Sequence, residues 1–237
     1  MVGNFKVSII VPCYNEKNTI EKILLKVKNS KIFNKEIIIV DDNSNDGSKE
    51  IIKKLANSGN DIDLKAIFHE KNLGKGAAIK SGMREASGDI ILIQDADLEY
   101  DPDDYPKMMD PFVKHGADVV YGSRFMGGEG PRRLLMFWHE IANRILTLMT
   151  NIVTNLNMTD METGYKAFKK ECISADELKE NSFSIEPELT IKLARKKLKF
   201  YEVSISYHGR SYEQGKKITF IDAIMVFFVI LKYTIIR

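Results

Sequence analysis

The chain of 237 residues holds only two cysteines, Cys13 and Cys172, far apart in sequence. That scarcity excludes a disulfide framework and a CxxC metal site, and it points to a reducing compartment. A charge excess of one sign is also missing. The 35 lysines and arginines stand against 33 aspartates and glutamates, a formal +2, which gives no support to nucleic-acid binding as the main task. Nowhere do the six prolines and 15 glycines gather with serine into a linker, so one domain over 1–237 is expected. No uninterrupted apolar run reaches the roughly 18–20 residues of a spanning helix, and the first one, FKVSIIV, is too short for a signal peptide. The nearest candidate, TFIDAIMVFFVILKY, is bracketed by Asp222 and Lys232 and reads as a core helix or one lying in a membrane interface.

Several nucleotide motifs are absent as well. A dinucleotide fold needs GxGxxG after its first strand, where this chain has Pro12-Cys13-Tyr14-Asn15-Glu16. Gly74-Lys75 lacks the upstream glycine of a P-loop and is followed by Gly76. Neither GxSxG nor HExxH occurs.

What is present is a regular alternation of two periods. Strand patterns at Lys6–Val11, Glu36–Val40, Leu64–Phe68 and Asp89–Gln94 alternate with helical ones. The first helix carries Ile20, Ile23, Leu24 and Val27 behind a capping pair, Asn18 and Glu21; the others run through Ile51, Ile52 and Leu55, and over Lys75–Glu85. This order predicts an α/β fold with a mostly parallel central sheet flanked by helices and with ligands at the carboxyl ends of its strands. The polar clusters PCYNE, DDNSNDGS and DADLE each fall at such an end. In the second half a strand is expected at Asp118–Tyr121, a helix at Ile185–Lys196 and a strand at Tyr201–Ser206. Long amphipathic patterns cover about 133–157 and 219–236, with basic loops before each, GSRFMGGEGPRR and HGRSYEQGKK.

In "IILIQDADLEYDPDD" an apolar strand runs straight into carboxylates. Asp95, Asp97 and Glu99 at alternate positions would only accumulate repulsion unless a cation sat among them. Asp95 and Asp97 can hold Mg²⁺ or Mn²⁺ while leaving places for two phosphate oxygens. Asp42 can accept hydrogen bonds from a ribose or a base, or it can simply start a turn with Asp41, Asn43 and Ser44. Arg124, Arg133, Arg210, Lys216 and Lys217 can bind phosphate or stand as exposed charges. His139 reads as a residue of the amphipathic helix.

VPCYNE, IVDDNSNDGS, NLGKGAAIKSG, QDADLE, GSRF and TDMETGYKAF, in that order and at those intervals, resemble a family 2 glycosyltransferase of the GT-A fold, in the branch of dolichyl-phosphate mannose and glucose synthases. The resemblance runs through nearly the whole chain. It implies inverting, metal-dependent transfer of a sugar from GDP-mannose or UDP-glucose to a polyprenyl phosphate. By position, Pro12, Tyr14, Glu16, Val40 and Asp42 would hold the nucleoside, and Asp95, Ala96 and Asp97 would line its ribose and diphosphate. The metal would rest on Asp97 with Asp95 and Glu99, the last where relatives often have Gln. Arg124, Arg133, Glu188, Arg210 and Lys216 would serve the substrates, and Asp97, Arg124, Asp160 and Arg210 the chemistry. By their place in the family's motifs, Asp160 in TDMETG and Glu188 in IEPEL would be candidates for a general base, or would orient basic neighbours. Residues 1–122 would then bind the nucleotide sugar and 123–237 the acceptor. A lipid acceptor implies a peripheral enzyme on the cytoplasmic face of a membrane, held by its amphipathic helices, which otherwise pack on the sheet or on a second subunit of a homo-oligomer. Two other readings share these residues: transfer to a saccharide acceptor in cell-surface polysaccharide assembly, and an inactive nucleotide-sugar-binding scaffold.

Overall fold

The structure is a computed structural model, and it describes residues 5–32, 34–57, 63–127, 137–210 and 220–235. Among these, seven strands form one sheet: β1 (Val7–Cys13), β2 (Lys35–Asp41), β3 (Leu64–Phe68), β4 (Ile90–Ile93), β5 (Val119–Ser123), β6 (Lys166–Lys169) and β7 (Phe200–Ser204). Their order is β3-β2-β1-β4-β6-β5-β7. All pairs are parallel except those of β6, which runs antiparallel to both β4 and β5. The helices are α1 (Ile20–Asn29), α2 (Ser48–Ala56), α3 (Lys75–Glu85), α4 (Tyr105–Lys114), α5 (Phe137–Thr154), α6 (Ile185–Ala194) and α7 (Phe220–Ile235).

Burial on both faces explains the near-continuous apolar runs of β1, β2 and β4. Val7, Ile9 and Val11 point into one layer with Ile37, Ile39 and Leu92, where Ile20, Ile23 and Val27 of α1 and Met108 and Phe112 of α4 cover them. Ile10, Ile38, Ile91 and Ile93 point into the other, beneath Ala78, Ile79 and Met83 of α3. The apolar residues foreseen on the first helix are its buried ones, but its cap differs. Thr19, not Asn18, is the N-cap, and no side chain closes the first turn; the Thr19 hydroxyl donates instead to Glu16 Oε2 at 2.8 Å.

The strand order reverses between β1 and β4, so their carboxyl ends open a crevice beside the end of β2. Two elements were not read from the sequence: α4, which carries prolines at 106 and 111, and the four-residue β6. Helix α5 turns Asn143, Thr147 and Thr150 inward and leaves Phe137, Trp138, Ile145, Leu148 and Ile152 exposed. On α7, Val226, Val229, Ile230 and Tyr233 are buried, while Ile224, Met225, Phe227, Phe228, Leu231 and Ile235 are exposed. No helix among the described residues is long and apolar enough to cross a membrane.

The opposite end of the strands is tied by Glu36, fully buried at the start of β2. Its carboxylate accepts from Ser8 Oγ at 2.5 Å, from Ser87 N at 2.6 Å and from Lys6 Nζ at 3.3 Å, joining β1, β2 and the turn before β4. Burial alone would raise its pKa. These donors outweigh burial and hold it at about 2, against an ordinary 4.5. A depressed carboxylate stabilises the fold fully above its unfolded pKa and loses that contribution as pH falls toward the folded one, here from about 4.5 to about 2. The shift corresponds to roughly 3 kcal/mol at neutral pH. Glu36→Gln is therefore expected to lower stability by roughly 2–4 kcal/mol at pH 7 and to flatten the acid limb below pH 4.5. Urea unfolding between pH 7 and pH 3 reads both effects, and an unchanged midpoint at pH 7 would count against the anchor.

Candidate active site

At the crevice the backbone leaves β1 through Pro12 and Cys13, and Pro12 lies in register with Val40 of β2. Tyr14 keeps 37% of its surface exposed, and Asn15 turns the chain in the left-handed region, φ 51°, so that Glu16 is buried facing the crevice loops. Asp42, at the end of β2, is already engaged. Oδ1 accepts from Leu73 N at 2.9 Å and lies 2.7 Å from His69 Nδ1, while Oδ2 accepts from Gly74 N at 2.7 Å. Asp42 thus fixes the loop that starts α3, and a lone-pair count leaves one acceptor position on Oδ2. Gly74 has φ 96°, and a side chain there would strike the Asn181 carbonyl, so glycine is required on both counts.

Beyond β4 the carboxylates separate. Asp95 pairs with Lys75 Nζ at 2.8 Å, and that ammonium also lies 3.1 Å from Glu186 Oε1. Burial works against the Lys75 charge, but Asp95 and Glu186 outweigh it and hold the lysine protonated, its pKa raised. The segment then turns at Leu98, φ 64°, an uncommon conformation for a γ-branched residue. Asp97 Oδ1 accepts from Glu99 N at 3.0 Å, and Oδ2 meets Arg210 Nη2 at 2.8 Å. Glu99 accepts from Tyr207 Oη at 2.6 Å and from Arg210 N at 2.8 Å. The Arg210 guanidinium also reaches Glu16, at 3.1 and 3.3 Å. One arginine therefore stands among Glu16, Asp97 and Glu99.

The foreseen set Asp95, Asp97 and Glu99 is not gathered as three ligands. Among the described residues no group of three histidine, cysteine, aspartate or glutamate side chains is arranged to hold a metal. Asp97 carries the unbalanced charge: burial, then Asp95 and Glu99, push its carboxyl up to about 7, against the pull of Arg210. A carboxylate so short of positive charge fits a divalent cation that takes its remaining ligands from a diphosphate and water, the usual habit of Mg²⁺. Ala96, between the two aspartates, is buried.

Past β5, Arg124 forms a bidentate pair with Asp160, Nε to Oδ2 at 2.6 Å and Nη2 to Oδ1 at 2.7 Å. Asp160 Oδ2 also accepts from Arg124 N at 3.0 Å, and Oδ1 from Asn143 Nδ2 at 3.2 Å. The Asp160 carboxylate is fully buried and committed to orienting Arg124, which places it as an anchor rather than a free base. Glu188 is committed elsewhere: it accepts from the amides of Lys179 and Glu180 and from Tyr233 Oη, and pairs with Lys192 at 2.6 Å. Its neighbour Glu186 is the residue of α6 that reaches the crevice, where Lys166 and Lys75 overcome its burial and keep its pKa low. Arg133, Lys216 and Lys217 lie outside the described residues.

Lys75 and Glu186 had not been singled out. The signal for Lys75 was its place at the first residue of a helix, where a cation opposes the helix dipole and needs carboxylates to hold it. Behind the site, Gln94 Oε1 accepts from the hydroxyls of Tyr105 at 2.7 Å and Tyr165 at 2.6 Å, and Tyr100 stacks on Tyr165.

The profile of glycosyl transferase family 2 matches residues 8–175. The dolichol-phosphate mannosyltransferase of Pyrococcus furiosus is 31% identical over 220 residues, covering 90% of this chain and 60% of its own length. A UDP-N-acetylglucosamine–dolichyl-phosphate N-acetylglucosaminyltransferase of Methanococcus voltae is 27% identical over 238 residues, 94% of each chain. The chain thus spans about 60% of the first of these relatives and nearly all of the second. The crystal structure of glucosyl-3-phosphoglycerate synthase from Mycobacterium tuberculosis with Mn²⁺, UDP and phosphoglyceric acid superposes with a TM-score of 0.71. It covers 99% of this chain and 80% of that one at 18% identity, a likeness of fold. The same enzyme has been solved with Mg²⁺ and UDP. The fold is GT-A-like, and the chain belongs to glycosyl transferase family 2.

Proposed function

We propose that the protein transfers a sugar from a nucleotide-diphosphate donor, GDP-mannose or UDP-glucose, to a polyprenyl phosphate at the cytoplasmic face of a membrane, with inversion. The observation that carries this reading is the state of the two residues the sequence offers as a base. Asp160 holds Arg124, and Glu188 holds Lys192 and two backbone amides. A saccharide hydroxyl must lose a proton as it attacks. A phosphate monoester oxygen is already ionised and needs positioning only. Arg124, fixed in a planar fork beside the crevice, suits that positioning.

In this reading the acceptor oxygen forms the new bond to the anomeric carbon as the bond to the diphosphate breaks, and the electron pair leaves with the nucleotide. Pro12, Tyr14, Val40 and Asp42 border the nucleoside, and Asp95, Ala96 and Asp97 the ribose and diphosphate. Asp97 would hold Mg²⁺ or Mn²⁺, which when bound neutralises charge growing on the leaving diphosphate. Arg210 now balances Glu16, Asp97 and Glu99, and it is placed to meet phosphate oxygens at the same spot. Residues 1–122 supply the donor side and 123–237 the acceptor side. The exposed apolar residues of α5 and α7 give the protein a surface suited to a membrane interface. The names of the two dolichyl-phosphate-linked relatives support a lipid acceptor.

The test is transfer of label from GDP-mannose or UDP-glucose to a polyprenyl phosphate in detergent, with Mn²⁺ or with chelator. Label is expected in the organic phase from one donor, lost with chelator and reduced at least about 100-fold by Asp97→Ala. Label found only on saccharide acceptors would overturn the lipid assignment, and metal-dependent binding without turnover would point to the scaffold. A second measurement separates anchor from base at Asp160. Asp160→Asn should cut kcat/KM for the acceptor by about 10- to 100-fold through a higher KM while leaving the pH profile in place. Disappearance of the acidic limb of that profile in the variant would instead make Asp160 the base.

A further inference from the structure

Glu162, in the loop before β6, takes no part in the roles above. Its Oε1 is shielded from solvent and has no hydrogen-bond partner. A shielded oxygen left unpaired has lost its hydration without a replacement, so a native structure that keeps one calls for an explanation. The residue is not walled in, since part of its surface remains accessible.

Its surroundings narrow what could pair with it. Lys166, Glu186, Arg124 and Asp160 all act electrostatically on Glu162, together with burial. Neither neighbouring cation pairs with that oxygen. Lys166 Nζ donates to the Met161 carbonyl at 2.7 Å, to the Thr163 carbonyl at 2.7 Å and to Glu186 Oε2 at 2.5 Å, which uses all three of its protons. Arg124 gives Nε and Nη2 to Asp160. Two residues further on, Gly164 lies so close to Asp95 that a Cβ there would collide with Oδ2. Residues 160–164 therefore lead from the arginine on the acceptor side to the aspartate on the donor side, with Glu162 between them.

The chemistry of the missing partner follows from that place. Burial pushes the Glu162 carboxyl up to about 7, so near neutral pH both its protonated and ionised forms are present. A phosphate would meet a repelling carboxylate in one of those forms. A hydroxyl donates to the carboxylate and accepts from the acid, and so pairs with both. Between a donor diphosphate and an acceptor phosphate, the hydroxyl-bearing group is the sugar in transit.

We propose that Glu162 receives a hydroxyl of the transferred hexose and helps to determine which sugar is accepted. This assignment rests on the nucleotide-sugar reading above, and it adds a residue to the sugar subsite within it.

The experiment measures binding of the free nucleoside diphosphate, the preferred nucleotide sugar and a set of its monodeoxy-sugar analogues to the full chain, wild type and Glu162→Ala. For the wild type, one analogue is expected to bind about 10-fold or more weakly than the intact donor. In Glu162→Ala that one penalty should shrink to within about 2-fold, with the other penalties and nucleoside diphosphate binding unchanged. Glu162→Gln, which keeps the shape, should soften the same penalty and no other, and it stands in if the alanine variant does not fold. Normal nucleoside diphosphate binding with every deoxy penalty intact in the variants overturns the assignment alone. Failure of the wild type to bind any nucleotide or nucleotide sugar overturns the underlying reading and this assignment with it.

Discussion

The constraint on which the site depends is charge balance among carboxylates crowded at the ends of β1 and β4. Glu16, Asp95, Asp97 and Glu99 come from short segments that the sheet order forces together, and in a partly desolvated crevice their repulsion would open the loops that carry them. Two cations prevent this. Lys75 takes Asp95 together with Glu186 of α6, and Arg210 takes Glu16, Asp97 and Glu99. Each cation joins a segment of the first half of the chain to one from the second. The same contacts also bring the end of the chain home: His208 N donates to the Glu99 carbonyl, and Tyr100 bridges to Tyr207.

The two ends of the strands treat a buried carboxylate in opposite ways. At Glu36 the donors are neutral hydroxyls and amides aided by lysines, and the carboxyl is driven down to about 2. At Asp97 the neighbours are mostly carboxylates, and the carboxyl is driven up to about 7. Burial raises both, so the neighbours decide the sign. One end is satisfied and serves stability; the other remains short of positive charge.

Much of this was readable in the sequence, for reasons that particular residues make clear. Strands β1, β2 and β4 are apolar without interruption because helices cover both their faces, and the polar clusters that end them had to lie side by side once the sheet was parallel. What escaped the sequence were facts of orientation and of long separation. Glu186 and Glu188 sit two residues apart in IEPEL, a step of about 200° around a helix, so only one could face the crevice. Arg210 approaches Asp97 from 113 residues away, which no local pattern encodes. Strand β6 is four residues long and carries Lys166 buried within it, so its polarity concealed it. Asp160 was read as either base or anchor, and only the placement of Arg124 and Asn143 favours the anchor.

The inversion of α5 follows from the same network. Asn143 must face inward to reach Asp160, and Thr147 beside it accepts from Met161 N and donates to Asn143 Oδ1. Steps of four and three residues then keep Asn143, Thr147 and Thr150 on the inner face with Leu146 beside them, and leave Phe137, Trp138, Ile145, Leu148 and Ile152 outside. An ordinary surface helix would bury more of those apolar residues. Here the need to hold the residue that holds Arg124 takes precedence, so the anchor of that arginine and the exposed apolar residues are two sides of one helix.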